Sequence, residues 1–124
     1  MMTSNESLTL DQVISLVKDT MDSIDPAKLF YELKKKKVKF LRERSLEIAR
    51  AAISLHILGL PINTTVLSCI LDIDPQVIRS VMHTLGDKHV FTLKRGGYGS
   101  KGYGYEWIPN PAVLGDFISC LMEE

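Results

Sequence analysis

The segment from Lys94 to Trp107, KRGGYGSKGYGYEW, brings together side chains that could hold a polyanion. Its cations, Lys94, Arg95 and Lys101, have the charge that binds phosphate groups. Its aromatic residues are Tyr98, Tyr103, Tyr105 and Trp107. Such rings can stack on unpaired bases, although at the base of a hairpin they more often pack on the core. The composition fits a low-complexity tract, a phosphate-binding loop or the tip of a β-hairpin.

The sequence on either side of this segment favours the hairpin. The flanking runs 89–94 and 103–108 are rich in β-branched and aromatic residues and are bounded by glycine, which is typical of strands. A phosphate-binding loop would place its glycines between a strand and a helix and would contain Gly-Lys-Ser/Thr, which is missing here. We therefore predict two strands joined by the loop Gly96–Gly102, with Trp107 in the core and Tyr98 exposed.

Outside the hairpin, apolar residues recur every three or four positions, which predicts amphipathic helices. The helices are predicted at 10–24, from Pro26 onwards, at 46–58, at 66–71, at 75–85 and after Pro111. Their start signals are Thr9 with Gln12, Asp25 with Pro26, Asn63 or Thr64, and Asp74 with Pro75. Their end signals are Gly59 and Gly86. Whether residues 26–58 form one helix or two stays open, because no Gly or Pro forces a break.

Positive and negative charges balance over the whole chain but not along it. The 124 residues include 15 Lys and Arg and 15 Asp and Glu. Residues 26–58 carry nine basic and three acidic side chains, whereas residues 1–25 carry one and five. A neutral chain with a basic middle permits polyanion binding on one face only. The lysine run 34–37 is predicted to be mainly a solvated helix face, with an auxiliary phosphate-binding patch as the alternative.

The sequence contains no recognised catalytic or metal-binding pattern. The histidines, His56, His83 and His89, lack metal-ligand spacing with each other and with the cysteines. No nucleophile motif occurs either, so we expect a non-enzyme without cofactor or metal. Cys69 and Cys120 lie in apolar helical patterns and are predicted to be core residues of a cytoplasmic protein. No signal peptide or membrane span is predicted. Of the histidines, His56 lies in an apolar helical stripe and is expected to be buried.

The order of these elements over residues 45–108 resembles a winged helix-turn-helix domain. The resemblance rests on the helix 46–58, the short helix 64–71, the turn Asp72-Ile73-Asp74, the helix 75–85 and the hairpin as the wing. The layout is similar to MarR-type regulators and to archaeal and viral winged-helix proteins. The wing's Tyr-x-Trp ending also resembles the archaeal general transcription factor E family. The fold class is then mainly α with a small β-hairpin.

The resemblance also implies a division of the chain and a DNA-binding site. Residues 1–44 would be an N-terminal helical extension for dimerisation or for covering the core, and residues 109–124 a C-terminal helix. The helix 75–85 would lie in the major groove, where Arg79 can bond guanine and Gln76 adenine. The wing 94–103 would follow the DNA backbone. The implied DNA-binding residues are Thr64, Thr65, Gln76, Arg79, Ser80, His83, Lys94, Arg95, Tyr98 and Lys101.

Three functions remain open from the sequence. The first is a DNA-binding transcription regulator that acts as a homodimer, because the C-terminal apolar stripe is large for a terminal helix. The second is a protein-interaction module in a transcription or replication assembly without direct DNA binding, which the zero net charge favours. In the third, weaker interpretation the tyrosine-rich wing holds single strands.

Overall fold

The computed structural model describes residues 9–35, 43–87, 91–94 and 106–109, together with Gly115 and Ser119. Its elements are α1 (Leu10–Asp22), α2 (Pro26–Lys35), α3 (Glu43–Ile57), β1 (Ile62–Asn63), α4 (Thr64–Leu71), α5 (Pro75–Asp87), β2 (Phe91–Lys94) and β3 (Glu106–Pro109). The chain is thus mainly helical with a small antiparallel sheet, as predicted. No helix among these residues is long and apolar enough to cross a membrane.

The helices begin at the predicted start signals. Thr9 and Gln12 form a capping box, in which the Gln12 N–H donates to Thr9 Oγ1 (3.1 Å) and the Thr9 N–H donates to Gln12 Oε1 (2.9 Å). Asp25 Oδ1 accepts from the N–H of Ala27 at the start of α2. Residues 26–58 contain two helices, since α2 packs back against α3, and 36–42 lie outside the described residues.

The sheet has three strands in the order β1-β3-β2, and both pairs are antiparallel. The strand β1 was not predicted, because two residues are too short to show an alternating pattern. It pairs with the middle of the sheet, so that Trp107 lies opposite both Ile62 and Leu93. The strands β2 and β3 overlap the two predicted strands, and residues 89, 90 and 103–105 lie outside the described residues. The loop Gly96–Gly102 and Tyr98 lie outside the described residues.

The helix α3 forms the centre of the core. Seven consecutive or nearly consecutive residues of α3 are buried, namely Ile48, Ala49, Ala51, Ala52, Ile53, Ser54 and Leu55. Its alanines permit close approach of the neighbouring helices, and α1, α2, α4 and α5 all contact it. Val13, Ile14, Val17 and Met21 of α1 and Leu29 and Leu33 of α2 belong to this same core, whereas Leu10, Leu16 and Phe30 are exposed. The larger part of each N-terminal apolar stripe is therefore covered within one chain.

Four local predictions were wrong. Cys69 is exposed and His56 is only half-buried, although both are predicted to be core residues. The apolar pattern also groups Phe30 with Leu29 and Leu33 on one side of α2, but Phe30 is exposed whereas both leucines are buried. The neighbouring elements cover only part of the apolar pattern of each of these helices, so a residue near the edge of the pattern stays accessible. The helix α5 also continues through Gly86 and ends at Asp87.

The glycine that ends α3 offers a test of this backbone geometry. Gly59 has φ +74°, and the N–H groups of Gly59 and Leu60 donate to the carbonyls of His56 and Leu55. Gly59→Ala should therefore destabilise the protein by about 1–2 kcal/mol. Gly115, which is helical and has open space around its Cβ position, is the matched control. Gly115→Ala should stabilise by roughly 0.5–1 kcal/mol, and urea unfolding of both variants would reveal the opposite signs.

Candidate nucleic-acid interface

The turn between α4 and α5 is held by backbone hydrogen bonds and by two hydrogen bonds that involve side chains. Asp72 adopts the left-handed conformation (φ 57°, ψ 47°) and its N–H donates to the Ser68 carbonyl. The Ser68 hydroxyl donates to the carbonyl of Ile73 at 2.7 Å. Asp74 Oδ1 then accepts from the N–H of Gln76 at 2.8 Å. Because the turn is tied on both sides, the angle between α4 and α5 is well defined.

The helix α5 has one buried face and one outward face. Ile78, Met82 and Leu85 are buried in the core. Gln76, Ser80 and His83 are exposed, and Arg79 is partly exposed. By the helical repeat these four residues lie within one arc opposite the core. The structure therefore brings together the four residues of α5 that the sequence placed on one face.

Trp107 joins this outward face to the sheet and to α4. It is 2% exposed and lies on β3, the central strand. The His83 ring meets it nearly perpendicularly, at 86° and with 5.1 Å between ring centroids. Its indole N–H donates to Thr64 Oγ1 at 3.4 Å, a long hydrogen bond. The position of His83 on the surface is thus tied to a buried residue.

Thr64, one of the two threonines predicted to hold a phosphate, has its side chain in the protein interior. Thr64 is 3% exposed, and its hydroxyl is directed to the buried indole of Trp107. The side chain of Asn63 caps α4 instead, since its Oδ1 accepts from the Val66 N–H at 2.7 Å. The neighbouring Thr65 is exposed. Of the two threonines, only Thr65 presents its side chain to solvent at this helix end.

The predicted wing residues are described only in part. Lys94 is the last residue of β2, and its Cα pairs with that of Glu106 across the sheet. The side chain of Lys94 lies outside the described part, as do all atoms of Arg95, Tyr98 and Lys101. Their contacts therefore stay predictions.

The charge near α5 is mixed. Arg79 is the one Lys or Arg in the sequence of α5, PQVIRSVMHTLGD. Exposed Asp72 and Asp74 lie in the turn that precedes the helix. Asp74 also caps the first turn of α5, so a carboxylate already occupies this helix N-terminus. Any anion that meets this face must approach Arg79 and the residues beyond it, away from the turn.

The sequence did not predict the contact between His83, Trp107 and Thr64. The helical repeat predicts His83 on the outward face of α5, and the hairpin pattern predicts Trp107 in the core, but nothing in the chain order joins the two residues. The only feature of the sequence that could have suggested a third strand beside Trp107 is the pair Ile62-Asn63. Among the described residues, no group of three His, Cys, Asp or Glu side chains is placed to hold a metal ion.

Comparison with known proteins gave no match. No protein-family model, curated protein or solved structure is significantly similar to this chain. The geometry of the described residues therefore carries the functional assignment.

Proposed function

We propose that residues 45–108 form a winged helix-turn-helix domain that binds duplex DNA, with α5 in the major groove. The element order α3-β1-α4-α5-β2-β3 and the strand order β1-β3-β2 support this assignment. The observation that carries it is the outward face of α5, on which Gln76, Ser80 and His83 are exposed directly after a tight turn. An α-helix fits the major groove, where such side chains read base edges.

The proposed contacts divide into base readout and phosphate binding. Gln76 would bond adenine, and Arg79 would bond guanine through two parallel hydrogen bonds. Thr65 at the start of α4 would hold a phosphate. The proposed backbone contacts of the wing are Lys94, Arg95, Tyr98 and Lys101. Because α5 itself carries few charges, most of the affinity would come from the wing.

The regulator is proposed to act as a homodimer on a two-fold operator. Most of the apolar side chains in the stripes of α1 and α2 are buried within the chain, so we place the dimer contact on another surface. The C-terminal sequence supplies a candidate, with Val113, Leu114, Phe117, Ile118 and Leu121 at helical spacing. Light scattering at micromolar concentration should give the mass of two chains. A mass of one chain would remove the dimer from the proposal.

A titration against duplex DNA tests the proposal directly. We would follow the fluorescence anisotropy of a labelled random-sequence duplex at roughly 50 and 200 mM salt, where phosphate-dependent binding weakens steeply. We expect binding at the lower salt that falls strongly at the higher salt. The slope of log affinity against log salt then counts the phosphate contacts, at about 0.9 per contact.

A second candidate is a protein-interaction module that uses the same helix. The exposed Asp72 and Asp74 beside α5 and the zero net charge favour it, since both weaken attraction to phosphates. In that case α5 or the wing would dock on a protein of a transcription or replication assembly. The absence of duplex binding at the lower salt would favour this candidate, and an affinity pull-down would then identify the partner.

A further inference from the structure

The outward face of α2 is aromatic and basic. Leu29 and Leu33 are buried against α3, so the opposite side of the helix faces solvent. There Tyr31 is 61% exposed and Phe30 is 37% exposed. Lys34 and Lys35 follow one turn later and are also exposed. We call Phe30, Tyr31, Lys34 and Lys35 the α2 face.

Each ring of the α2 face lies beside an ammonium group. Lys34 Nζ is 5.8 Å from the centroid of the Phe30 ring, and Lys35 Nζ is 5.1 Å from that of Tyr31. Lys35 also forms an ion pair with Glu32, with 3.5 Å between Nζ and Oε2. These contacts keep positive charge alongside two exposed aromatic rings. A ligand with both negative charge and flat π-faces would match this pairing.

The neighbouring sequence adds to the positive charge. Between Leu33 and Arg42 the sequence is LKKKKVKFLR, with no acidic residue. The lysine run thus continues directly from the α2 face. Charge complementarity therefore points to a polyanion, such as a nucleic acid or an anionic membrane surface.

The burial pattern of α2 disfavours the membrane. An interfacial helix inserts a continuous apolar face between lipid headgroups. In α2 that face consists of Leu29 and Leu33, and the protein core already covers it. Only two rings remain for lipid contact, and both have a lysine ammonium beside them. A nucleic acid needs no such apolar face.

The exposed rings distinguish a single strand from a duplex. Bases inside a duplex are stacked on each other, whereas those of a single strand can stack on protein aromatics. The cation–π contacts seen here are exposed and are weaker than a base–aromatic stack, so an incoming base can replace them. We propose that the α2 face binds single-stranded nucleic acid, with Tyr31 and Phe30 stacking on bases and Lys34 and Lys35 bound to phosphates. This site is independent of the proposed duplex contact of α5.

Binding to oligothymidylate tests the proposal. We would measure anisotropy with a labelled strand of about 20 nucleotides at roughly 50 mM salt. Tyr31→Ala should weaken binding by roughly 5- to 150-fold, the loss of one base stack. Tyr31→Phe, which keeps the ring, should bind like the parent. Lys34→Gln combined with Lys35→Gln should lower the salt slope by about 1.4.

The controls separate this site from other surfaces. Leu10→Ala removes an apolar side chain that is 50% exposed on α1 and should leave binding unchanged. The two proposed sites also have different readouts, because oligothymidylate binding should depend on Tyr31, whereas base preference on duplex DNA should depend on Arg79. The two proposals can therefore fail separately. Circular dichroism melts of the α2 variants should match the parent, since the changed side chains are exposed.

Several outcomes would overturn the proposal. The first is a parent protein that does not bind oligothymidylate at the lower salt. The second is full binding by Tyr31→Ala, which would place the strand elsewhere on the molecule or leave a contact through phosphates alone. The third is binding of phosphatidylserine-containing vesicles that depends on Tyr31, without oligothymidylate binding, which would identify a membrane surface.

Discussion

Replacing Trp107 by alanine should lower the free energy of unfolding by about 3–5 kcal/mol. The ring is 2% exposed and lies on the central strand, opposite both β1 and β2. Its removal would leave a cavity where α4, α5 and the sheet meet, and would remove the edge-to-face contact with His83. Trp107 is the single tryptophan of the chain, so the variant cannot be followed by tryptophan fluorescence. Urea unfolding of the variant and the parent should therefore be followed by circular dichroism.

The next residue on the strand provides a matched control. Ile108 is 43% exposed, because successive side chains of a strand point to opposite faces. Ile108→Ala should change the stability by no more than about 0.5–1 kcal/mol. Trp107→Phe should fall between these two, since it keeps a ring in the core but loses the hydrogen bond to Thr64. A cost for Trp107→Ala as small as that for Ile108→Ala would contradict the observed packing.

Replacing Arg79 by alanine should weaken binding to the preferred DNA site by about 1–3 kcal/mol and relax the preference at one base pair. A guanidinium that bonds guanine through two hydrogen bonds contributes discrimination of this size. The affinity for random-sequence duplex should change far less, because the lost contact is to a base and not to a phosphate. The measurement is selection of a preferred site, followed by anisotropy competition with single-base variants of that site.

A variant of a second arginine is the control that separates the loss of base readout from the loss of positive charge. Arg44 is exposed at the start of α3, where it lines a cavity with Pro26. Arg44→Ala removes the same charge and should leave the base preference intact. Thermal unfolding of both variants is needed, since Arg79 is only partly exposed. If Arg79→Ala and the parent bind every site variant with the same relative affinity, Arg79 does not read a base. Non-specific duplex binding would stay open in that case.

Short-range patterns correctly predicted the starts of α1, α2 and α5 and the outward face of α5. The caps by Thr9, Asp25 and Asp74 and the left-handed Gly59 were read directly from the chain. Each depends on hydrogen bonds between residues at most a few positions apart, so the local sequence contains all the atoms involved. The face of α5 followed from the helical repeat alone.

Contacts between distant residues required the folded chain. Thr64 and Trp107 are 43 positions apart, and the strand β1 forms because Ile62 and Asn63 pair with Trp107 and Glu106. That pairing buries the Thr64 hydroxyl, which the local sequence had placed at an open helix end. Phe30 is exposed for a similar reason, because the position of α3 decides which side of α2 is covered. Burial of a side chain depends on which distant element packs against it, and local patterns of apolar residues do not specify that partner.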